Sequence, residues 1–269
     1  MPICVLDRAV LEVRGPDARS FLQGLVTCDV EALAPGQASF GALLTPQGKI
    51  LFDFLILCAD GETFLLDVAR DLAPSLCKRL TLYKLRAKVA IAQTVKGVAA
   101  AWGESEPPHG LAFADPRAPG LGWRAIVDEP GPAGDARAYH AHRIALGVPE
   151  GGVDFAYGDA YPHDVNMDLI GGVSFTKGCY VGQEVVSRMK HRGGVRRRIA
   201  RARFPQGTPA SGAEIAAGDL RIGVVGSSVD GAGLASVRTD RLLDARAAGL
   251  APRAGDAPVE LFPPEPAAP

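Results

Sequence analysis

Long apolar runs and paired cysteines are both missing from this sequence. No stretch approaches the roughly 20 consecutive apolar residues of a membrane-spanning helix, and the segment Met1–Cys4 does not resemble a signal peptide. The five cysteines stand far apart and form no CxxC or other metal-ligand spacing, at Cys4, Cys28, Cys58, Cys77 and Cys179. These absences predict a protein of a reducing compartment, the cytoplasm, that makes no membrane contact.

Nucleotide-binding motifs are missing too. Gly41 and Gly48 have the wrong spacing for a P-loop, and Lys49 is followed by Ile50 rather than by Ser or Thr. The segment 223–226 lacks the GxGxxG pattern of a dinucleotide site. The formal net charge is only −1, which argues against a surface that coats nucleic acid.

The overall composition is that of an ordinary globular protein. Hydrophobic residues make up 47% and charged residues 22% of the 269 positions, enough to form cores in two or three lobes. Strand-like runs near Ser39–Leu44, Ile50–Cys58 and Thr63–Val68 are separated by turn residues, as in successive hairpins. Strands and helices follow one another without regular alternation, which predicts an α+β fold.

The second half of the chain has a different pattern of sequence elements. The Pro- and Gly-rich stretch from Glu104 to Gly122 predicts an exposed loop, and a helix is expected from about Asp135 to Leu146. After Arg196, short strands alternate with Gly-rich turns, which is typical of a small β-barrel. We therefore expect α+β lobes over residues 1–194, a barrel over 195–262 and a disordered tail over 263–269.

The most informative stretch is Lys177-Gly-Cys-Tyr-Val-Gly-Gln-Glu184. A helix that starts near Gly182 would place Cys179 just before its positive end, with Lys177 two residues away. Both effects lower the pKa of a thiol and so increase its thiolate fraction. The alternative, that Cys179 merely fills space at a helix start, is equally compatible with these residues alone.

The same string resembles the signature of the YgfZ family of folate-binding proteins, relatives of the aminomethyltransferase (T-protein) of the glycine cleavage system. The stretches Asn166–Phe175, Gly15–Val30 and Thr45–Lys49 also resemble that family. The resemblance implies T-protein-like lobes around a central folate channel, with a C-terminal barrel. It further implies tetrahydrofolate, with or without a polyglutamate tail, as cofactor, and a role in iron–sulfur cluster assembly or repair.

The resemblance also implies which residues form the site. Asn166 would contact the pterin, Tyr139 would form its wall, and Asp164 would face it. Lys177, Gln183 and Glu184 would complete the folate site, and Gln183 and Glu184 would hold the motif loop and the helix start in place. Tyr139 stands where bacterial members commonly have Trp, and Arg8 stands where some relatives carry Trp.

Basic residues cluster between Arg188 and Arg203. A solvated surface explains part of this run, but the adjacent Arg196, Arg197 and Arg198 are also suited to carboxylates such as those of a polyglutamate tail. RNA binding is the alternative, and it is disfavoured because no aromatic residue stands among the arginines to stack on bases. His140 and His142 cannot share one helix face, so we expect no metal there. His163 is equally compatible with ligand contact and with a turn.

Three functional hypotheses follow. The first is a folate-binding accessory factor for iron–sulfur proteins that affects tRNA modification only indirectly. In it Cys179, activated by Lys177, either performs redox chemistry or ligates a transient cluster shared with an assembly or client protein. The second is one-carbon transfer of the aminomethyltransferase type, which needs a carboxylate such as Asp53, Asp67 or Asp71. The third and weakest is an RNA-binding module.

Overall fold

The computed structural model describes residues 2–128, 134–192 and 195–264. These residues form two compact units, one of Met1–Tyr139 with Ile170–Gln183 and the other of His140–Leu169 with Glu184–Pro269. Gly194, at the predicted domain boundary, and residues 265–269 of the predicted disordered tail lie outside the described residues. The domain boundaries expected from the sequence therefore stay predictions.

Nine strands and two complete α-helices lie in the described part of the first unit. The helices are α1 (Ala18–Gln23) and α2 (Ala73–Lys84). The strands, in chain order, are β1 (Ile3–Leu6), β2 (Arg8–Arg14), β3 (Ala38–Leu44), β4 (Ile50–Cys58), β5 (Thr63–Ala69), β6 (Ala90–Gln93), β7 (Gly97–Ala101), β8 (Leu111–Ala114) and β9 (Trp123–Val127).

A five-stranded antiparallel sheet holds the main core of this unit. Its order is β3-β4-β5-β2-β6, and its apolar face packs against α1 and α2. The predicted hairpins are confirmed within one residue at each end. Their turns follow from local chemistry: Gly48 adopts φ +81°, and the Asp60 carboxylate accepts hydrogen bonds from the backbone amides of Glu62 and Thr63.

A second sheet of the unit corrects one sequence expectation. Its order is β1-β7-β9-β8. The expectation that Glu104–Gly122 is only an exposed loop is wrong, because β8 lies within it and pairs with β9 from Leu111–Ile126 to Ala114–Trp123. A four-residue strand with Pro and Gly on both sides has little local signal, and its pairing with β9 stabilises it.

The second unit contains the barrel. The helices that fall wholly or partly in it are α3 (Ala136–Ala145), α4 (Gln183–Arg192) and α5 (Thr239–Ala247). Its strands are β10 (Arg197–Arg203), β11 (Glu214–Ala217), β12 (Leu220–Val229), β13 (Ala232–Arg238), β14 (Arg253–Ala254), β15 (Ala257–Pro258) and β16 (Glu260–Phe262). The predicted helix at Asp135–Leu146 is confirmed as α3.

The seven strands form one sheet in the order β15-β14-β11-β12-β13-β10-β16. Its two edge strands, β15 and β16, are separated in sequence only by Val259, so the sheet curls until its edges are neighbours. Buried apolar side chains fill the interior, among them Ile215, Ile222 and Leu242. The predicted small β-barrel is confirmed as a nearly closed seven-stranded one. No helix in the described part of the chain is both long and apolar enough to cross a membrane.

Candidate functional site at Cys179

Cys179 differs from the other cysteines in its exposure. All five lie in the described part of the chain, and Cys179 is exposed whereas Cys4, Cys28 and Cys58 are buried and Cys77 is half-buried. Burial raises the pKa of the Cys4 and Cys28 thiols to about 11, so both remain protonated at neutral pH. Cys179 is therefore the cysteine most open to a ligand or partner.

Lys177 anchors the start of the motif. Its side chain is buried, and its Nζ donates hydrogen bonds to three backbone carbonyls, those of Gln23 at 2.7 Å, Val26 at 2.7 Å and Cys28 at 2.9 Å. An ammonium group has three N–H donors, so all of them are used. Burial lowers the pKa of Lys177. The structure thus gives Lys177 a structural task, while its predicted activation of Cys179 and its predicted folate contact stay untested.

Tyr180 anchors the other side of the thiol. The residue is buried, the Lys177 ammonium lies 5.2 Å from its ring centroid, and burial raises the pKa of its hydroxyl to about 12. Gly178 and Cys179 between these two anchors are both exposed. The loop therefore exposes the Cys179 thiol at its tip, while the flanking residues Lys177 and Tyr180 are buried in the first unit.

The ends of the loop are fixed as well. The Ser174 amide donates to the carbonyl of Thr27, and the Thr27 hydroxyl donates to the carbonyl of Gly172. At the other end Gly182 adopts φ +81°, and a Cβ there would lie 2.6 Å from the carbonyl oxygen of Thr45. The close approach that this glycine permits is thus to the β3–β4 hairpin.

Gln183 and Glu184 open helix α4, which confirms the predicted helix start. The backbone amide of Gln183 donates to the carbonyl of Tyr180 at 3.2 Å. The Glu184 carboxylate pairs with Arg188 one turn along the helix, and both side chains are exposed. In this structure Glu184 therefore supports its own helix rather than the loop.

Tyr139, the predicted pterin wall, is packed inside the first unit with only 4% of its surface exposed. Its hydroxyl accepts hydrogen bonds from Arg117 at 3.2 Å and Arg124 at 2.9 Å, and its ring meets Trp102 edge-on at 5.6 Å. Almost no ring surface remains for a pterin. The aromatic ring belongs to the protein's own packing.

Two buried carboxylates hold these arginines. Asp115 pairs with Arg117 at 2.7 Å and with Arg124 at 3.1 Å, while Asp67 pairs with Arg8 and, at 3.3 Å, with Arg124. Burial opposes ionisation of Asp115, but the two guanidinium groups outweigh it and hold the pKa of this carboxyl well below its usual range. Sequence reasoning singled out Asp67 and Arg8 but missed the other three, although a charged residue inside an apolar strand, as in Trp-Arg-Ala-Ile-Val, is a usable signal.

The carboxylates proposed for one-carbon chemistry differ in their surroundings. Asp53 on β4 is buried, Asp67 is committed to two arginines, and Asp71 is exposed on the 3₁₀ turn Arg70–Leu72. These environments do not single out one proton-handling group.

In the second unit, Asp164 and Asn166 lie around the 3₁₀ helix Pro162–Val165. The Asp164 carboxylate accepts from the backbone amide of Tyr161 at 3.1 Å and so caps that helix. Asn166 has a left-handed backbone with φ +65°, is buried, and donates from Nδ2 to the carbonyl of Ile199 at 2.8 Å. Its Oδ1 has no hydrogen-bond partner among the described residues. That buried acceptor is suited to an N–H donor of a ligand.

The arginine triplet separates into two kinds of side chain. Arg198 forms a fork with Asp168 at 2.5 and 2.9 Å and also donates to the carbonyl of His163. Arg196 and Arg197 are exposed. The expectation that all three meet a ligand anion is therefore corrected for Arg198, which an internal carboxylate already occupies.

His140 of α3 is used structurally. Arg143 donates to His140 Nδ1 at 3.0 Å, and the His140 ring lies 3.3 Å from Glu150. Among the described residues no group of three His, Cys, Asp or Glu side chains is arranged to hold a metal ion.

The predicted folate residues divide between the units. Tyr139, Lys177 and Gln183 belong to the first, while those in the second are Asp164, Asn166, Glu184, Arg196 and Arg197.

Comparison with known proteins starts from two family profiles. Residues 7–100 match the GCVT N-terminal domain, and residues 196–269 match the CAF17 C-terminal β-barrel domain. The crystal structure of the glycine cleavage system aminomethyltransferase T from Bartonella henselae superimposes with a TM-score of 0.74, at 17% identity, over 98% of this chain and 85% of that one. This likeness confirms the T-protein-like fold.

Curated relatives carry the comparison further. The human iron–sulfur cluster assembly factor IBA57, mitochondrial, is 35% identical over 237 residues, 76% of this chain and 67% of the relative. The mouse protein of that name is 34% identical, and this chain spans 66% of it. The Neurospora crassa homologue is 34% identical, and the chain spans 51% of its length. These relatives are named as mitochondrial, so the expected cytoplasmic location stays a prediction. The chain belongs to the family of the iron–sulfur cluster assembly factor IBA57, as the resemblance to the YgfZ proteins implied.

Proposed function

We propose that this protein takes part in iron–sulfur cluster assembly and that Cys179 contributes a thiolate ligand to a cluster in transit. The observation that carries the proposal is the exposed thiol of Cys179, held at the tip of a loop whose flanking residues Lys177 and Tyr180 are buried. The family to which the chain belongs supports the biological context.

The cluster must be shared with another protein. Iron–sulfur clusters are commonly held by four thiolates, and one cysteine supplies a single ligand. The described part of this chain offers no group of three metal-ligating side chains. The remaining ligands would come from an assembly or client protein. In the exchange, the Cys179 thiol would give its proton to solvent and the resulting thiolate would bond to iron, while the partner's cysteine thiolate that it displaces would leave iron and take up a proton.

The proposal is tested in cells that lack the protein. Expression of the Cys179→Ala variant should fail to restore the activities of iron–sulfur enzymes, whereas Cys77→Ala, at the half-buried thiol of α2, should restore them. Both purified variants should keep the unfolding midpoint of the parent. Full restoration by Cys179→Ala would overturn the proposal. Indirect effects on tRNA modification follow where the modifying enzymes carry clusters.

We further propose that tetrahydrofolate, with or without a polyglutamate tail, is the small-molecule ligand. Bound folate would carry one-carbon units on its ring nitrogens. Support comes from the buried, unpartnered Oδ1 of Asn166, an acceptor suited to the pterin's N–H edge, and from the exposed Arg196 and Arg197, suited to tail carboxylates. The fit is partial, since Tyr139 and Lys177 already use their polar groups inside the protein.

Calorimetric titration of the reduced protein under anaerobic conditions tests folate binding. Saturable binding that tightens with the number of glutamates and weakens in Asn166→Gly is expected. Glycine accepts the left-handed backbone at this position, so the substitution removes the side chain without adding strain. Absence of saturable binding for both the mono- and the triglutamate form would exclude folate as ligand.

A further inference from the structure

A cavity of about 590 Å³ lies within the second unit, and arginines dominate its polar wall. Three strands and one helix each supply one of them. They are Arg197 of β10, Arg221 of β12, Arg238 of β13 and Arg241 of α5. Four guanidinium groups around one cavity are unusual unless anions balance them, because like charges in proximity repel.

The first pair faces across the sheet. Arg197 lies directly opposite Arg238 in the β10–β13 register, so their side chains leave the same face. Arg238 forms a fork with Asp240 at 2.9 and 2.6 Å. Arg197 is exposed and has no hydrogen bond or ion pair to any described residue. Of these two guanidinium groups, only that of Arg238 is paired with a carboxylate of the described chain.

The second pair shows the same imbalance. Arg221 pairs with Glu214 at 2.9 Å. Arg241 donates to the carbonyl oxygen of Arg221 at 2.9 Å but forms no ion pair with a carboxylate of the described chain. Arg197 and Arg241 therefore bring two positive charges to the cavity that no described carboxylate pairs with.

The acidic residues of the cavity remove only part of this imbalance, because two of the three carboxylates already have other partners. Asp154 is buried and accepts from Arg143 at 2.8 Å and from the amide and hydroxyl of Ser227 at 2.7 Å. Asp164 caps its 3₁₀ helix. Asp159 is the remaining carboxylate of the wall. Apolar side chains, including Phe155 and Ile222, form other parts of the lining.

We propose that this cavity binds a small organic oxyanion, a phosphate monoester or a carboxylate, between Arg197 and Arg241. Guanidinium groups bind such anions through paired, charge-assisted hydrogen bonds. The half-buried Phe155 provides apolar contact for the body of the ligand. The site shares Arg197 with the proposed contact to a folate tail but does not include Asn166, so the pterin contact and this site can fail separately.

Calorimetric titration with phenyl phosphate and, separately, with glutarate tests the site. Saturable binding of at least one compound is expected, with Kd raised about tenfold in Arg197→Gln and in Arg241→Gln. Arg203→Gln is the matched control, because Arg203 is an exposed arginine of the same strand outside the cavity. It should leave Kd unchanged.

The two compounds also identify the source of the anion. Binding of phenyl phosphate alone assigns the cavity to a phosphorylated metabolite, and binding of glutarate alone assigns it to a carboxylate, such as a polyglutamate tail. Saturable binding of neither compound overturns the proposal, as does an equal Kd in Arg197→Gln and the parent. Thermal melting of each variant verifies that the fold is retained.

Discussion

Nζ of Lys177 lies 2.7 Å from the carbonyl oxygen of Val26, a residue 151 positions earlier in the chain. The carbonyl oxygens of Gln23, Val26 and Cys28 together form a binding site for this ammonium group, which we call the Lys177 socket. The sequence predicted that Lys177 activates the Cys179 thiol, whereas in the structure Lys177 holds the loop that carries this thiol in place. Replacement of Lys177 should therefore lower the free energy of unfolding more than it changes the reactivity of the thiol.

The Lys177→Met variant should lose about 3 kcal/mol of unfolding free energy, because three carbonyls lose a charged donor at once. Urea denaturation measures the change. Lys190→Met is the control, since Lys190 is exposed on α4 and its replacement should stay within about 0.5 kcal/mol. Equal losses of unfolding free energy in the two variants would contradict a stabilising role of the Lys177 socket.

Alanine substitutions at two glycines of the same loop should differ in their effect on the free energy of unfolding. Gly182→Ala should cost about 3 kcal/mol, because φ is +81° and the new Cβ would meet the Thr45 carbonyl at 2.6 Å. Gly178→Ala should stay within about 0.5 kcal/mol, since nothing lies within 4 Å of its Cβ position. Thermal unfolding of both variants decides the matter, and a neutral Gly182→Ala would refute the close approach.

The buried ion network should be intolerant of the loss of one charge. Asp115→Asn leaves Arg117 and Arg124 partly uncompensated inside the first unit, at a cost of about 3–5 kcal/mol. Asp128→Asn provides the comparison, because its pair with Lys96 is exposed and should contribute no more than about 1 kcal/mol. If Asp115→Asn and Asp128→Asn shift the denaturation midpoint by the same amount, the buried network stabilises the fold no more than an exposed ion pair does.

His163 should make the protein sensitive to acid. Burial lowers its pKa from 6.5, reinforced by Arg198 and Lys190 and opposed by Asp168. The unfolded chain then binds more protons, so this contribution to stability is complete above about pH 6.5 and is lost as the pH falls through the folded-state pKa. The slope from one proton cannot exceed about 1.4 kcal/mol per pH unit.

Denaturation at a series of pH values measures that slope. His163→Gln should flatten it, whereas His191→Gln, at an exposed position of α4, should leave it as in the parent. An unchanged slope in His163→Gln would assign the acid sensitivity to other groups.

The sequence predicted what depends on local pattern. The hairpins from Ser39 to Val68, the helix at Asp135–Leu146 and the start of α4 beside Gly182 were all identified, because turn residues and apolar periodicity act over a few positions. Strand β8 escaped detection, since its pairing with β9 rather than its own residues determines it.

Contacts over long sequence separation explain the remaining differences at the site. The partners of Lys177 lie 149 to 154 residues away, and those of Tyr139, Arg117 and Arg124, lie 22 and 15 residues away. A local pattern can mark a charged side chain as buried, but it does not identify the distant partner. The motif therefore located the loop correctly but could not distinguish its buried anchors from its exposed tip.

The barrel restricts how another protein can attach to the second unit. Its two edge strands are short, the two residues of β15 and the three of β16. Strands this short offer few free backbone groups, so they are poor templates for a strand added by an incoming chain. Association at these edges therefore depends on side chains, which makes it sensitive to single substitutions and disfavours edge-to-edge polymerisation of the isolated protein.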